Sequence, residues 1–306
     1  MRASGLAESF EEHRAHLLTV AYRLTGSVAD AEDAVQDSWL RLATVDATEI
    51  DNLRAWLTTV VGRLCLDKLR SAAVRREKYV GQWLPEPIVT PLGGTSPPDP
   101  LEQVVQHEDN RLAALIVLDV LPPPQRIAFV LHDGFGVPFD EVASILGVGS
   151  AAARQLASRA RRAVADTPPP TPTAEHENAV AVLVAAFAAG DIDGVIAALH
   201  PDARLIGDAG GTTPTALNVV VGAEKFARFF AGLIRRYGPE SFAAFEPVRV
   251  NGELGLLNHG FRGDGQRGYP PRVTGCTVRD GRVWAAYDLA NPEKLRRGVL
   301  VPLGRR

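Results

Sequence analysis

Pro138-Phe139-Asp140-Glu141-Val142-Ala143-Ser144-Ile145-Leu146-Gly147-Val148-Gly149-Ser150, continued through residues 151–164, reads as helix, tight turn, helix. Val142, Ala143, Ile145 and Leu146 recur at helical spacing. Asp140 and Glu141 fall in the first turn, where carboxylates suit the positive end of a helix dipole. Gly147 stands where a positive φ ends a helix, and Ser150 is the expected N-cap of the next. In that second helix Ala153, Leu156, Ala157, Ala160 and Val164 make a narrow apolar seam. Arg154, Gln155, Ser158, Arg159, Arg161 and Arg162 fill the other faces, with no acid from Ser150 to Ala165. This is the layout of a helix-turn-helix whose second helix meets DNA. A solvated basic face on an ordinary helical hairpin is the alternative.

The totals bound the rest. A chain of 306 residues implies two or three domains. A composition of 46% hydrophobic and 23% charged residues is globular, and the net charge of −3 means that any basic surface must be local. Cys65 and Cys276 are far apart in sequence and fit no metal spacing, so buried thiols in a reducing cytoplasm are expected. Residues 1–16 lack the apolar core of a signal peptide, and no apolar run approaches the ~20 residues of a membrane span. The expectation is a soluble cytoplasmic protein with no membrane partner, no metal and no cofactor.

Upstream, Leu17, Leu18, Ala21, Tyr22 and Leu24 give residues 10–25 a helical period that Gly26 interrupts. Ser27 and Asp30 have the Ser-x-x-acid form of an N-cap box. In the helix that follows, Asp30, Asp33, Asp37 and Arg41 share one face, while Ala34, Val35, Trp39 and Leu42 turn towards a core. The acidic face is either solvated or a docking surface for a protein. A polar break over 45–51 precedes a helix expected over 52–80, with Trp56, Leu57, Val60, Val61, Leu64, Cys65 and Leu69 on its core side. From Arg54 to Lys78 seven cations face two acids, a balance that suits a nucleic-acid backbone. Aromatics beside such surfaces stack on unpaired bases, although Trp56 alone reads more readily as core.

Asp30-Ala31-Glu32-Asp33-Ala34-Val35-Gln36-Asp37-Ser38-Trp39-Leu40-Arg41-Leu42, Asn52-Leu53-Arg54-Ala55-Trp56-Leu57 and Asp67-Lys68-Leu69-Arg70 together resemble region 2 of a bacterial extracytoplasmic-function sigma factor. In that family the Asp-Ala-Glu-Asp helix binds the coiled coil of the RNA polymerase β′ subunit, and the loop and helix after it open and hold the −10 promoter element. The resemblance implies that Asp30, Asp33, Gln36 and Asp37 face polymerase and that the loop 44–51 pockets an unstacked base. It places Asn52, Arg54, Trp56, Arg63, Lys68 and Arg70 near DNA.

Residues 81–100, rich in proline and glycine, read as a partly extended linker. Its Trp83-Leu84-Pro85-Glu86-Pro87 is too apolar for a bare linker and is expected to dock. Residues 101–121 are expected as an amphipathic helix, and Leu121-Pro122-Pro123-Pro124-Gln125-Arg126 opens the next, with Ile127, Phe129, Val130 and Leu131. With the helix-turn-helix, this resembles sigma region 4, which reads the −35 element and meets the polymerase β flap. Arg154, Gln155, Ser158 and Arg159 are then candidates for base edges and phosphates, arginine suiting guanine and glutamine adenine. Arg161 and Arg162 suit phosphates. Ala151 and Ala152 stand where many members of that family carry larger groups, so sparse base readout is expected there.

After a second proline linker at 167–173 the pattern changes class. Helices are expected over 175–189, 195–199 and 222–237, with His200-Pro201-Asp202 as a turn into a strand at 203–206. Short alternating runs follow at 242–250, 254–261, 272–279 and 282–289, with Asn251-Gly252 and Asp280-Gly281 as hairpin turns. Helices followed by a bent antiparallel sheet make an α+β domain. The order resembles a SnoaL-like domain of the nuclear transport factor 2 superfamily, a cone with a pocket. Some relatives of that fold are enzymes, and acid–base work would need a pocket carboxylate or histidine. His200, Asp208, His259 and Asp288 are available, but no pair among them forms a recognisable catalytic set. Asp208 reads as catalytic or as the shaper of a glycine loop.

The whole arrangement resembles the SigJ-like group of these sigma factors, which carry a fused SnoaL-like extension. Three marks carry the likeness: Trp83-Leu84-Pro85-Glu86-Pro87, Asp208-Ala209-Gly210-Gly211 and Asn291-Pro292-Glu293-Lys294-Leu295. The group has three glycines after the aspartate and then a basic residue, where this chain has Ala209 and Thr212. The resemblance implies that the extension contacts the sigma core and tunes it, through Trp83, Leu84, Pro85, Asp208, Gly210, Gly211, Asn291, Pro292 and Leu295. The expected protein is multidomain, with two all-α domains and a C-terminal α+β cone with a curved antiparallel sheet. Region 2 spans 1–80, the linker 81–100, region 4 101–166 and the regulatory domain 175–297. It is a non-enzymatic promoter-specificity subunit of RNA polymerase. The rivals are a bifunctional regulator whose cone binds or turns over a small molecule, and a plain repressor using the helix-turn-helix alone.

Overall fold

Gly26, at φ 66°, stops one helical run and lets another begin. In the computed structural model these are α1 (Ala3–Thr25) and α2 (Val28–Leu42). Ser27 caps α2, its Oγ accepting from the Asp30 amide at 3.1 Å, as the Ser-x-x-Asp spacing predicts. The structure describes residues 3–46, 49–77, 79–93, 103–104, 110–165, 170–238, 245–260 and 268–296. Lys78, residues 101–102 and 105–109 of the helix expected over 101–121, and the ends of the runs at 242–250 and 254–261 lie outside the described residues. The chain divides into two compact units, Met1–Lys78 with Ser96–Thr167, and Tyr79–Thr95 with Pro168–Arg306.

The first unit is helical. Asn52 opens α3 (Leu53–Arg76), its Oδ1 accepting from the Ala55 amide at 3.1 Å. The helix ends short of the expected residue 80, and Tyr79, half-buried in the second unit, donates its phenol to Asp208. Leu17, Tyr22, Leu24, Val35, Leu57, Val61 and Leu69 form the buried side of the three helices. Next come α4 (Leu112–Asp119) and α5 (Pro123–Phe129), the latter opened by a proline whose missing amide is no loss at a helix start. A π-helical turn (Val130–Gly134) leads to α6 (Phe139–Leu146) and α7 (Ser150–Ala163), the expected helix-turn-helix. Gly147 takes φ 68° as expected. The N-cap of α7 is Gly149 rather than Ser150, which is the first helical residue. Its hydroxyl is drawn away to donate to the Asp140 carboxylate of α6. Gly62 lets α3 approach this second half closely, since a β-carbon there would stand 3.1 Å from Leu131 Cδ1 and 3.2 Å from Ile145 Cδ1.

The second unit is the α+β domain. Helices α8 (Thr173–Ala189), α9 (Ile192–Ala198) and α10 (Ala223–Tyr237) pack on a sheet of β1 (Val89–Thr90), β2 (Leu199–Asp208), β3 (Val220–Val221), β4 (Phe245–Val250), β5 (Glu253–Asn258), β6 (Arg272–Arg279) and β7 (Arg282–Leu289). The order is β1-β4-β5-β6-β7-β2-β3, antiparallel except for the β2–β7 pair. Leu183, Val195, Leu205, Phe226, Cys276, Val283 and Ala286 meet in the core between helices and sheet. His200 belongs to β2 rather than to a turn. Its Nδ1 accepts from the Asp202 amide where the strand register shifts. Asp280 and Gly281 take φ 51° and 68°, the hairpin geometry expected.

Strand β1 comes from the linker. Val89 pairs with Val250 and Thr90 with Arg249, so the docking expected of this segment includes addition of an edge strand. The neighbouring Asn251-Gly252 turn holds it further. Asn251, at φ 52°, donates its amide to the Ile88 carbonyl at 2.8 Å and accepts from the Ile88 amide through Oδ1 at 3.1 Å. Asn251→Ala removes one of these bonds and puts alanine in a left-handed conformation. It should destabilise this corner by about 1–2 kcal/mol. Faster amide exchange at Ile88–Thr90 in the full chain is the expected readout.

Candidate nucleic-acid interface and linker clasp

Helical geometry sorts the residues expected on α3 into two sets. Asn52, Trp56, Arg63 and Arg70 fall at spacings of four and seven and share a face. Arg54 and Lys68 lie on the opposite face and have partners elsewhere. Arg54 NH2 lies 3.2 Å from His16 Nδ1 of α1. Lys68 Nζ reaches Asp30 at 3.4 Å and Asp33 at 3.2 Å on α2. Burial pulls the Lys68 ammonium down, but the charges of Asp30 and Asp33 outweigh it and hold the group above its ordinary value. Lys68 thus ties α3 to the acidic face of α2. Trp56 is half-buried, whereas Gln36 and Asp37 are exposed on α2 beside Asp33.

On α7 the buried seam is Ala153, Ala157 and Ala160, with Leu156 half-buried beside it. At 100° per residue, Ala151, Gln155, Ser158 and Arg162 point away from that seam, with Arg159 next to them. Arg154 and Arg161 lie seven residues apart on one flank. The Arg161 Nε is bonded to Asp133 at 2.7 Å.

The two halves of the helical unit meet through polar groups around the Gly62 contact. Arg63 NH2 donates to Ser144 Oγ at 2.9 Å, and Thr59 Oγ1 donates to Glu141 at 3.4 Å, so α6 occupies part of the α3 face that carries Arg63. Arg126 is buried between the halves. Its NH1 donates to the Leu24 carbonyl at 3.1 Å, at the end of α1, and its NH2 to Asp119 Oδ1 at 2.5 Å. Asp119 Oδ1 also accepts from Arg76 NH1 at 2.6 Å. Burial pulls the Arg126 guanidinium down, against the charge of Asp119. The Arg126 Nε is buried with no hydrogen-bond partner among the described residues.

In the second unit, Asp208 at the end of β2 gathers the linker. It is completely buried. Its Oδ1 accepts from the Tyr79 phenol, and its Oδ2 accepts from the Leu84 amide at 2.7 Å and from Lys294 Nζ at 2.6 Å. Lys294 also donates to the Leu84 carbonyl and lies 3.8 Å from the Trp83 ring centroid and 5.3 Å from that of Tyr79. Asn291 Nδ2 donates to the Tyr79 oxygen at 2.8 Å. Burial, then the Asp208 hydrogen bond and charge, push the Tyr79 phenol well above its usual range, so it stays a donor. Gly210 takes φ 58°, and a β-carbon there would meet Asn291 Nδ2 at 2.8 Å; one on Gly211 would stand 3.0 Å from Val80. Leu84, Pro85, Asn291 and Leu295 are buried, Trp83 is half-buried, and Pro292 is exposed. The three motifs quoted from the sequence therefore meet at one carboxylate. Two participants went unassigned from sequence: Lys294, a cation inside a quoted motif, and Tyr79, hidden at the end of an expected helix.

The other acid–base candidates do not join this cluster. Asp288 is paired with Arg272 NH1 at 2.9 Å and accepts from Thr215 at 2.8 Å. His259 pairs with Glu246 at 3.0 Å, and His200 lies 3.8 Å from Asp280. Cys65 and Cys276 are buried free thiols. Burial pushes both up, Cys276 to about 12. No group of three or more His, Cys, Asp or Glu among the described residues could hold a metal ion, and no helix among them is long and apolar enough to cross a membrane.

Comparison with known proteins gives three family matches: Sigma-70 region 2 over residues 9–75, Sigma-70 region 4 over 113–164, and the SnoaL-like domain over 180–286. The chain is 57% identical over 289 residues to the ECF RNA polymerase sigma factor SigJ of Mycobacterium tuberculosis, covering 93% of this chain and 91% of that protein. It is 35% identical over 297 residues to the probable ECF RNA polymerase sigma factor SigI of the same species, covering 95% and 94%. A crystal structure of M. tuberculosis SigJ matches with a TM-score of 0.83 at 54% identity, over 97% of this chain and 100% of that one.

The Arg76–Asp119–Arg126 cluster makes a sharp energetic expectation. Asp119→Ala leaves a buried guanidinium without its counter-charge and should destabilise the helical unit by about 3 kcal/mol, seen as a lower unfolding midpoint. Adding Arg126→Met should recover much of the loss, because an apolar side chain of similar length has no charge to leave unpaired.

Proposed function

Because the chain belongs to the extracytoplasmic-function sigma factors of RNA polymerase, partners of the polymerase core and promoter DNA, we propose how its parts divide that work. The exposed acidic face of α2, with Asp33, Gln36 and Asp37, takes the β′ coiled coil, and region 4 meets the β flap. The α3 face of Asn52, Trp56, Arg63 and Arg70 takes the −10 element. Arg54 and Lys68, already engaged with α1 and α2, act mainly by holding α3 in place. On α7, Gln155, Ser158, Arg159 and Arg162, with Arg154 beside them, take the −35 element. Arginine and glutamine there suit guanine and adenine edges, and the rest suit phosphates.

The SnoaL-like domain acts in cis as a regulator of this pair. The observation that carries this reading is the clasp of Asp208 and Lys294 on residues 79–84, reinforced by strand β1. Residues 79–90 lie between regions 2 and 4 in sequence, so clasping them removes chain from the reach between the two regions. Seating α6 on α3 occupies Thr59 and Arg63 at the same time. Promoter binding then requires an open state, and any signal must favour that state over the closed one. Sigma factors are not enzymes. In the SnoaL-like domain, a fold family that includes enzymes, Asp208 and Asp288 are both committed to ion pairs, which argues for a binding or regulatory role rather than turnover.

Two experiments test the division. Asp37→Arg reverses charge on an exposed position of α2 and should abolish binding to core polymerase, measured by fluorescence anisotropy, while leaving the unfolding midpoint unchanged. Retained binding would remove α2 from the polymerase contact. Lys294→Met keeps length but removes the ammonium from Asp208. It should raise amide exchange across Trp83–Thr90 and change promoter-dependent transcription by the full chain with core polymerase. Released exchange with unaltered transcription would sink the regulatory reading.

A further inference from the structure

Going beyond the assignment of Arg154 to the −35 element, on which it rests, we propose that Phe139, backed by His132, is a positioning residue that holds the Arg154 guanidinium ready for promoter DNA. The support begins in the π-helical turn (Val130–Gly134), which carries His132. The His132 Nδ1 lies 2.9 Å from the Val137 carbonyl, so Nδ1 carries the proton and the ring is fixed in rotation. Its plane stacks on the Phe139 ring with centroids 3.7 Å apart and an interplanar angle of 26°. A ring at that distance packs directly against Phe139 and fixes its orientation. Arg154 Cζ sits over the same phenyl ring at 5.3 Å from its centroid, within cation–π range.

The consequence for Arg154 follows from guanidinium geometry. A cation–π contact with the ring consumes none of the guanidinium's N–H donors in conventional hydrogen bonds, so they remain for a phosphate or a guanine edge. Arg154 is exposed and makes no hydrogen bond among the described residues. Arg161, on the same flank of α7, is instead tied by Asp133 of the same turn. One irregular turn thus braces one side of the recognition helix at two levels, leaving the upper arginine with free donors and spending the lower one. A side chain held in its binding posture loses less freedom on contact, which strengthens binding without any added contact.

The test is a double-mutant cycle in the full chain with core polymerase, reading affinity for a promoter duplex. Phe139→Leu keeps an apolar residue at the start of α6 but removes the ring, and should weaken binding about 2–5-fold. Phe139→Tyr keeps the ring and should bind as the parent does. In an Arg154→Ala background Phe139→Leu should have no further effect. Equal losses from Phe139→Leu in both backgrounds, or Phe139→Tyr as weak as Phe139→Leu, would assign Phe139 a merely structural role and overturn the proposal. If Arg154→Ala alone leaves affinity unchanged, the placement of Arg154 on DNA fails and the proposal falls with it.

Discussion

A fully buried carboxylate needs several partners, and Asp208 finds them in stretches of chain far apart in sequence. Tyr79 and the Leu84 amide come from the linker, Lys294 from the last described turn, and Asn291 supports Tyr79 from the side. A buried ion pair of this kind adds little net stability but makes the loss of any one partner expensive. It therefore specifies an arrangement rather than simply strengthening one. The glycine loop after Asp208 serves the same end, since Gly210 and Gly211 allow Asn291 and Val80 to approach where a β-carbon would stand.

The helical unit is built on similar terms. Its two halves, regions 2 and 4, meet through a close apolar contact at Gly62 and a buried guanidinium at Arg126. The apolar contact is forgiving, because the ends of Leu131 and Ile145 can shift. The Arg126 site is not, because it combines a helix-end carbonyl, a shared carboxylate and one unsatisfied nitrogen. Such an interface has a defined geometry and, because a buried charge gives back much of its attraction in lost solvation, a modest net energy.

Local patterns made much of this legible in advance. The Ser27 cap, the left-handed Gly147, the Asn251-Gly252 and Asp280-Gly281 turns, and strands β6 and β7 all follow from backbone rules that act over a few residues. Where expectation and structure part, a distant partner is the reason. Ser150 reads as a cap, but its hydroxyl goes to Asp140 and Gly149 takes the N-cap position. The helix expected to reach residue 80 stops at Arg76, and the half-buried Tyr79 beyond it donates to the Asp208 carboxylate. Lys68, part of the basic run in sequence, lies against the acids of α2.

The sequence by itself determined the order of the parts: an acidic helix and a basic helix, an apolar linker, a helix-turn-helix and an α+β extension. It did so because caps, turns and hydrophobic periods are local and each leaves a mark in a short window. The tertiary structure alone decided that the linker adds a strand to the extension's sheet, that Lys294 rather than a neighbour closes on Asp208, and that Phe139 stands under Arg154. Those outcomes depend on which distant groups share a desolvated site and on which face of a helix a neighbour leaves open. No short window of sequence contains both sides of such a contact.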